Sequence, residues 1–220
     1  MHKQHYQLKE NNSLKLWERW VLASTIAQIL GWIVIAYFSQ ATNEFNNENT
    51  YKVLLLVGTV EGFLLGFAQW LVLRSYIRRA SFWIFLTIVG ALLSWFMGLT
   101  VSVVIGLFYL ANLHQTITTL VKEIALLGAA IGTVIGYAQW LILKIANKKA
   151  IWWVGANAFA WSLGLVVAFI GAGINKSSGF QIHPTLVTVA TGAVMGIIIS
   201  SITGLVLVWL LQPRLRHHHD

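Results

Sequence analysis

Residues 62–74 read Gly62-Phe-Leu-Leu-Gly66-Phe-Ala-Gln69-Trp70-Leu-Val-Leu-Arg74, and residues 132–144 read Gly132-Thr-Val-Ile-Gly136-Tyr-Ala-Gln139-Trp140-Leu-Ile-Leu-Lys144. The offset is 70 residues throughout, and Gly58 and Gly128 extend the match. Each stretch is largely apolar around its glutamine, carries two glycines four residues apart and ends on a basic residue. At about 100° per residue, Gly58, Gly62 and Gly66 fall near 0°, 40° and 80° on a helical wheel, which makes one smooth face. A continuous apolar run with such a face reads as a membrane helix, because a barrel strand would alternate.

The rest of the chain agrees. Of 220 residues 57% are apolar and 10% charged, and the mean hydropathy is +0.71. A soluble domain carries about 25% charged residues, so this chain cannot cover a globular surface with polar side chains. With no cysteine, disulfides, thiolate metal sites and cysteine nucleophiles are excluded. Six apolar stretches come close to the ~20 residues that cross a hydrocarbon core: 17–38, 53–73, 82–110, 124–145, 151–174 and 186–211. The third is over-long and must tilt, kink or run along an interface. The first follows a polar segment and lacks a small-x-small cleavage site, so it is not expected to be a cleaved leader.

Twelve of the 15 Lys and Arg residues fall on one side of these spans, and Lys52, Lys122 and Lys176 on the other. Over short loops that asymmetry predicts both termini in the cytoplasm. The net charge of +8 is therefore read as orientation, and no nucleic-acid partner is expected. The organisation is a tail over 1–16, a six-helix domain over 17–211 and a second tail over 212–220. His217–His219 resemble a short tag or a natural tail.

The odd-numbered spans repeat too. Trp20, Trp83 and Trp153 each stand four residues before a polar residue, namely Ser24, Thr87 and Asn157. Trp32, Trp95 and Trp161 lie deeper in the same spans. The sixth span keeps small residues at four-residue spacing (Gly192, Gly196, Ser200, Gly204) but has no Gln-Trp pair. These features predict an all-α integral membrane protein of three two-helix hairpins in parallel orientation, each entering from the cytoplasm. The segment Ala-Gln-Trp-Leu-x-Leu-Arg/Lys at 68–74 and 138–144 resembles a recurring element of uncharacterised multi-pass membrane proteins of bacteria, notably cyanobacteria. That resemblance covers the second and fourth spans best. It implies a bacterial inner membrane, or a thylakoid membrane in a cyanobacterium, and carries no catalytic residue across.

The candidate residues follow from cost in lipid. Gly58, Gly62, Gly66, Gly128, Gly132, Gly136, Gly192 and Gly196 are read as packing positions, since close contact must supply the association that lipid does not drive. Gln69 and Gln139 fall within the glycine faces, where a primary amide needs partners on neighbouring helices. Ser24, Thr87 and Asn157 lie at similar depth and are the expected partners. Eight of the 11 tryptophans, including Trp20, Trp83 and Trp153, fall near the basic boundary and are read as interfacial anchors. Trp32, Trp95 and Trp161 are read as core filling, or as flanking a flat ligand.

Glu61 is the one acidic residue well inside a span. It lies roughly 13 Å from Lys52 and 20 Å from Arg74 at the helical rise. An ionised carboxylate at such depth costs roughly 2.5–3.5 kcal/mol on insertion scales. It is expected to point between helices, either donating a hydrogen bond to a neighbouring hydroxyl or serving as a proton or cation site. No paired acid–base constellation, P-loop, His-Glu-x-x-His or Gly-x-Ser-x-Gly occurs. The spans hold no histidine, and the chain lacks the Pro-x-acid and Asn-Pro-Ala motifs of two familiar classes of carrier and channel. The expected function is non-enzymatic: a scaffold or partner-binding subunit, with lipids, a protein partner or a second copy as partners. The alternative is a small-solute or ion transporter using Glu61, Gln69 and Gln139, with no cofactor assigned. A uniformly packed centre favours the first, and a cavity lined by those three residues favours the second.

Overall fold

The computed structural model describes residues 2–41, 47–110, 116–177 and 183–215, with side chains described over most of these segments. Among the described residues six α-helices make up the bundle: α1 (His2–Ala41), α2 (Asn47–Leu73), α3 (Phe82–Leu110), α4 (Ile117–Ala146), α5 (Ile151–Ser177) and α6 (Pro184–Leu215). All six are long and apolar enough to cross a membrane. Large apolar side chains stand exposed around the bundle, among them Leu22, Phe85, Leu126, Phe159 and Leu205. A soluble monomer would not leave such a belt in water. Helix α1 starts at His2, so the segment expected as a tail continues the first span as helix. That segment is rich in Gln, Leu, Lys and Glu, which are good helix formers, and has no Gly or Pro. The tail over 212–220 begins inside α6, and residues 216–220 with His217–His219 lie outside the described residues.

Each helix packs on its neighbours in chain order, and α6 packs on α1, closing a ring. The most extensive pairings are α4 with α5, α1 with α6, and α2 with α3. The expected hairpins also touch, α1–α2 and α3–α4 less extensively and α5–α6 about as extensively as α2–α3. The glycine rows explain the difference. A Cβ added to Gly62 would come within 2.8 Å of the Ile88 Cα on α3, and one added to Gly196 within 3.2 Å of the Thr25 Cα on α1. One added to Gly132 would run into the Asn157 carbonyl oxygen on α5. Each even helix thus presses its glycine face onto an odd helix. Gly58, Gly128 and Gly192 continue the pattern against Trp95, the Trp161 backbone and Trp32. Gly66 and Gly136 do so against Thr87 and Asn157.

The densest core lies at the basic end, where α1 starts its span and α6 ends. Leu16, Leu73, Leu143, Leu207 and Leu211 are all essentially inaccessible and belong to one cluster. Short connections seal it. Ile77 and Ala80, from the α2–α3 turn, are buried in the same cluster, and Arg79 takes the left-handed backbone conformation there (φ 64°). Between α4 and α5, the Asn147 side chain donates to the Leu210 carbonyl on α6 at 2.8 Å and accepts from the Lys149 amide at 2.8 Å. One side chain therefore ties this turn to the end of the last helix.

Candidate functional site

The centre of the bundle has two levels. At the basic level Trp20, Trp83 and Trp153 are fully buried. Their rings form a triangle with centroid separations of 6.1, 5.6 and 5.7 Å and edge-to-face angles of 82°, 78° and 65°. Such pairs add about 0.5–1.5 kcal/mol each beyond the area they bury. These three indoles are not interfacial anchors, contrary to the expectation from their position along the chain. Each N–H has a partner inside the protein. Trp83 Nε1 donates to Gln69 Oε1 at 2.9 Å, Trp153 Nε1 to Gln139 Oε1 at 3.0 Å, and Trp20 Nε1 to Thr203 Oγ1 at 3.1 Å.

The glutamines knit this level together. Gln139 Nε2 donates to Gln69 Oε1 at 3.2 Å and to Thr87 Oγ1 at 3.1 Å, and Gln69 Nε2 donates to Ser24 Oγ at 3.4 Å. Gln69, Gln139, Ser24 and Thr87 therefore meet in one cluster spanning four helices. Asn157 lies beside it but donates to the Trp153 carbonyl of its own helix, at 2.9 Å. Thr203 is a member the sequence reading missed. It stands seven residues past Gly196, as Gln69 and Gln139 stand seven past Gly62 and Gly132. The equal separation of 14 residues between Gln69 and Trp83 and between Gln139 and Trp153 was a second signal available in the chain.

The Trp70 and Trp140 that follow the glutamines point elsewhere. The Arg74 guanidinium carbon lies 5.5 Å from the Trp70 ring centroid, and Lys144 Nζ lies 4.5 Å from that of Trp140. In the repeated segment the alanine is small, the glutamine points to the centre, and the tryptophan and base pair through a cation–π contact one turn apart.

Beyond this floor lies a cavity of about 470 Å³, to which all six helices contribute lining residues. Leu65, Leu127, Ile131, Leu165 and Met195 give it apolar walls, and Trp32, Trp95 and Trp161 add indoles. Its polar side chains are Glu61, Thr87 and Ser94, besides the indole N–H groups. The two hydroxyls donate to backbone carbonyls of their own helix, Trp83 and Gly90, at 2.8 Å each. Glu61 is half-buried, and its Oε2 accepts from Trp95 Nε1 at 2.7 Å. The expected bond had the carboxyl donating to a hydroxyl; here an indole donates to the carboxyl. A Cβ on Gly31 would meet Glu61 Cγ at 3.2 Å, so α1 yields space to this side chain. Glu61 thus points between helices.

Gln69 and Gln139 line a much smaller hollow, about 10 Å³, together with Ser24, Gln28, Asn157 and Thr203. That volume is about one water. Gln28 is buried there, and its amide makes no hydrogen bond within the described residues. The cavity is therefore blind at the basic end. Among the described residues no cluster of three or more His, Asp or Glu offers a metal site.

No family model, curated protein or solved structure matches the chain.

Proposed function

We propose that this is a non-enzymatic membrane protein that holds a small, largely apolar ligand in its central cavity. The supporting observation is the blind cavity of about 470 Å³, with walls from all six helices. Its volume falls within the ~300–1,000 Å³ typical of small-molecule sites, and its mostly apolar lining with few polar groups is typical too. The expected signs of scaffold and transporter are divided between the two levels. A scaffold called for a uniformly packed centre, and only the basic end is packed. A transporter called for a cavity lined by Glu61, Gln69 and Gln139, yet only the first of these lines it while the glutamines tie its floor.

In this reading the architecture is three two-helix repeats about an axis along the membrane normal. The threefold pattern of glycine contacts and the Trp20, Trp83 and Trp153 bonds support it. Both termini lie in the cytoplasm in this reading, which the asymmetry of basic residues supports, and the cavity then faces away from it. The membrane is a bacterial inner membrane, or a thylakoid membrane if the source is cyanobacterial. The partners are lipid and the bound small molecule, and nucleic acid is not among them. Transport remains the second reading, because Glu61 lies in the cavity, and it requires the floor to open.

The test is extraction of the protein purified in lipid nanodiscs, followed by mass spectrometry of the small molecules retained. The parent should retain one non-bilayer molecule per chain. A variant with Ala168→Trp, which fills the cavity wall, should retain less than about a tenth as much. Equal retention by a well-folded Ala168→Trp variant would overturn the assignment.

A further inference from the structure

Among the residues lining the cavity Glu61 is the one formally charged group. It lies between α1 and α3, against Gly31 on one side and hydrogen-bonded to Trp95 on the other. Trp32, the residue after Gly31, lines the same cavity. Its indole N–H is buried without a hydrogen-bond partner among the described residues. A carboxyl bonded to one indole, in an otherwise apolar chamber that a second indole also lines, has a specific chemical complement.

We propose that the cavity binds a lipophilic organic cation, an alkyl- or aryl-substituted ammonium, with its charged head beside Glu61 and Trp95. The proposal rests on the cavity being a ligand site and adds the class of ligand. Three observations select it. First, the carboxyl disfavours anions, and among the described residues no lysine or arginine lines the cavity to offset it. Second, a metal ion is poorly served. A hard cation takes six or more oxygen ligands, whereas among the described residues the cavity offers one carboxyl and two hydroxyl oxygens. Third, the carboxyl accepts from the Trp95 N–H, and an ammonium is the ligand that pairs its ionised form in an apolar space, where unpaired charge is costly. An ammonium shielded by carbon substituents answers all three. It carries little hydration to lose, its charge is attracted by indole rings, and its hydrocarbon body suits the leucine and isoleucine walls.

The test uses the protein in nanodiscs, with empty nanodiscs as the blank for partitioning. Two probes of one shape are compared by equilibrium dialysis: 4-tert-butylbenzyl-trimethylammonium and its uncharged carbon isostere. The parent should bind the cation about tenfold more tightly than the isostere. Glu61→Gln should abolish that preference while still binding the isostere. It should fold, because the glutamine oxygen can accept the Trp95 bond, and a melting curve checks this. Glu61→Asp retains the charge and should preserve part of the preference. Equal binding of the two probes to the parent would overturn the ammonium assignment and leave the cavity reading standing. Binding of neither probe above the blank would overturn both. A cation preference that survives in folded Glu61→Gln would show that the charge is read elsewhere, and would overturn the assignment to Glu61.

Discussion

The same six helices do opposite things with their polar side chains at the two levels of the bundle. At the basic end Gln69, Gln139, Thr203 and three indoles satisfy one another, and the buried Gln28 amide beside them is the exception among the described residues. In the other half Glu61 has an indole donor on one oxygen and faces a cavity of about 470 Å³. A polar group in lipid surroundings must find partners, and at the basic end the partners are all protein. The comparison separates a group that holds the helices together from one available to a ligand. It also says where substitutions should act on stability and where on binding.

The sharpest way to break the comparison is to overfill the packed level. Gly132→Leu would drive a branched side chain into the Asn157 carbonyl region of α5. Overpacking commonly costs about 1–3 kcal/mol, and here the obstacle is backbone, which cannot rotate away. The expected loss is at least about 3 kcal/mol, which for a chain of this size corresponds to a drop of roughly 6–12 °C in melting temperature. Thermal unfolding in detergent or nanodiscs checks it. An unchanged melting temperature would mean that α4 and α5 are not in close contact at Gly132.

A smaller effect is expected from Gln139→Leu. The leucine is of similar volume, but it leaves the fully buried Trp153 N–H without its acceptor. A stranded buried donor costs about 1–3 kcal/mol. Thr87 loses one incoming bond yet keeps its own bond to the Trp83 carbonyl, so it adds little. The indole environment gives a second readout, because Trp153 fluorescence should change while the level containing Glu61 keeps its ligand preference. If Gln139→Leu instead erased ligand binding with no loss of stability, the glutamines would belong to the site and the two-level division would fail.

How far the chain announced this division depends on the residue. Six spans were legible because the hydrocarbon thickness sets a length and composition that few other structures share. The glycine faces were legible because a four-residue spacing fixes a direction on a helix. The partners of the two glutamines were legible in part: depth along the helices pointed to Ser24, which Gln69 bonds, and to Thr87, which Gln139 bonds, but Asn157 bonds its own backbone instead. Depth gives height along the membrane normal and leaves rotamer and azimuth open. Trp20, Trp83 and Trp153 were misassigned for the same reason, since an indole at interfacial height can point outward or inward. Thr203 was missed because it shares no side-chain chemistry with glutamine beyond an oxygen that can accept a bond. The cavity was not legible at all, because a void depends on how six surfaces meet and no single stretch encodes it.

The finest test of the comparison is Gly98→Ala, where the expected effect is smallest. Gly98 lies on α3 in the cavity wall, and a Cβ added there meets no atom within 4 Å. Gly132, by contrast, presses on a neighbouring backbone. Alanine restricts the unfolded chain and favours helix by roughly 0.5–1 kcal/mol over glycine. With nothing to obstruct the methyl, that gain should appear as an unchanged or slightly raised melting temperature, by up to about 4 °C. The same substitution at Gly132 should lower it, although alanine is the smallest side chain that can be added. The two variants differ in what surrounds the new methyl, so the sign of the difference measures packing directly. A loss of more than about 1 kcal/mol at Gly98 would mean that the far half closes on itself as tightly as the basic end. The cavity, and the ligand assigned to it, would then have to be abandoned.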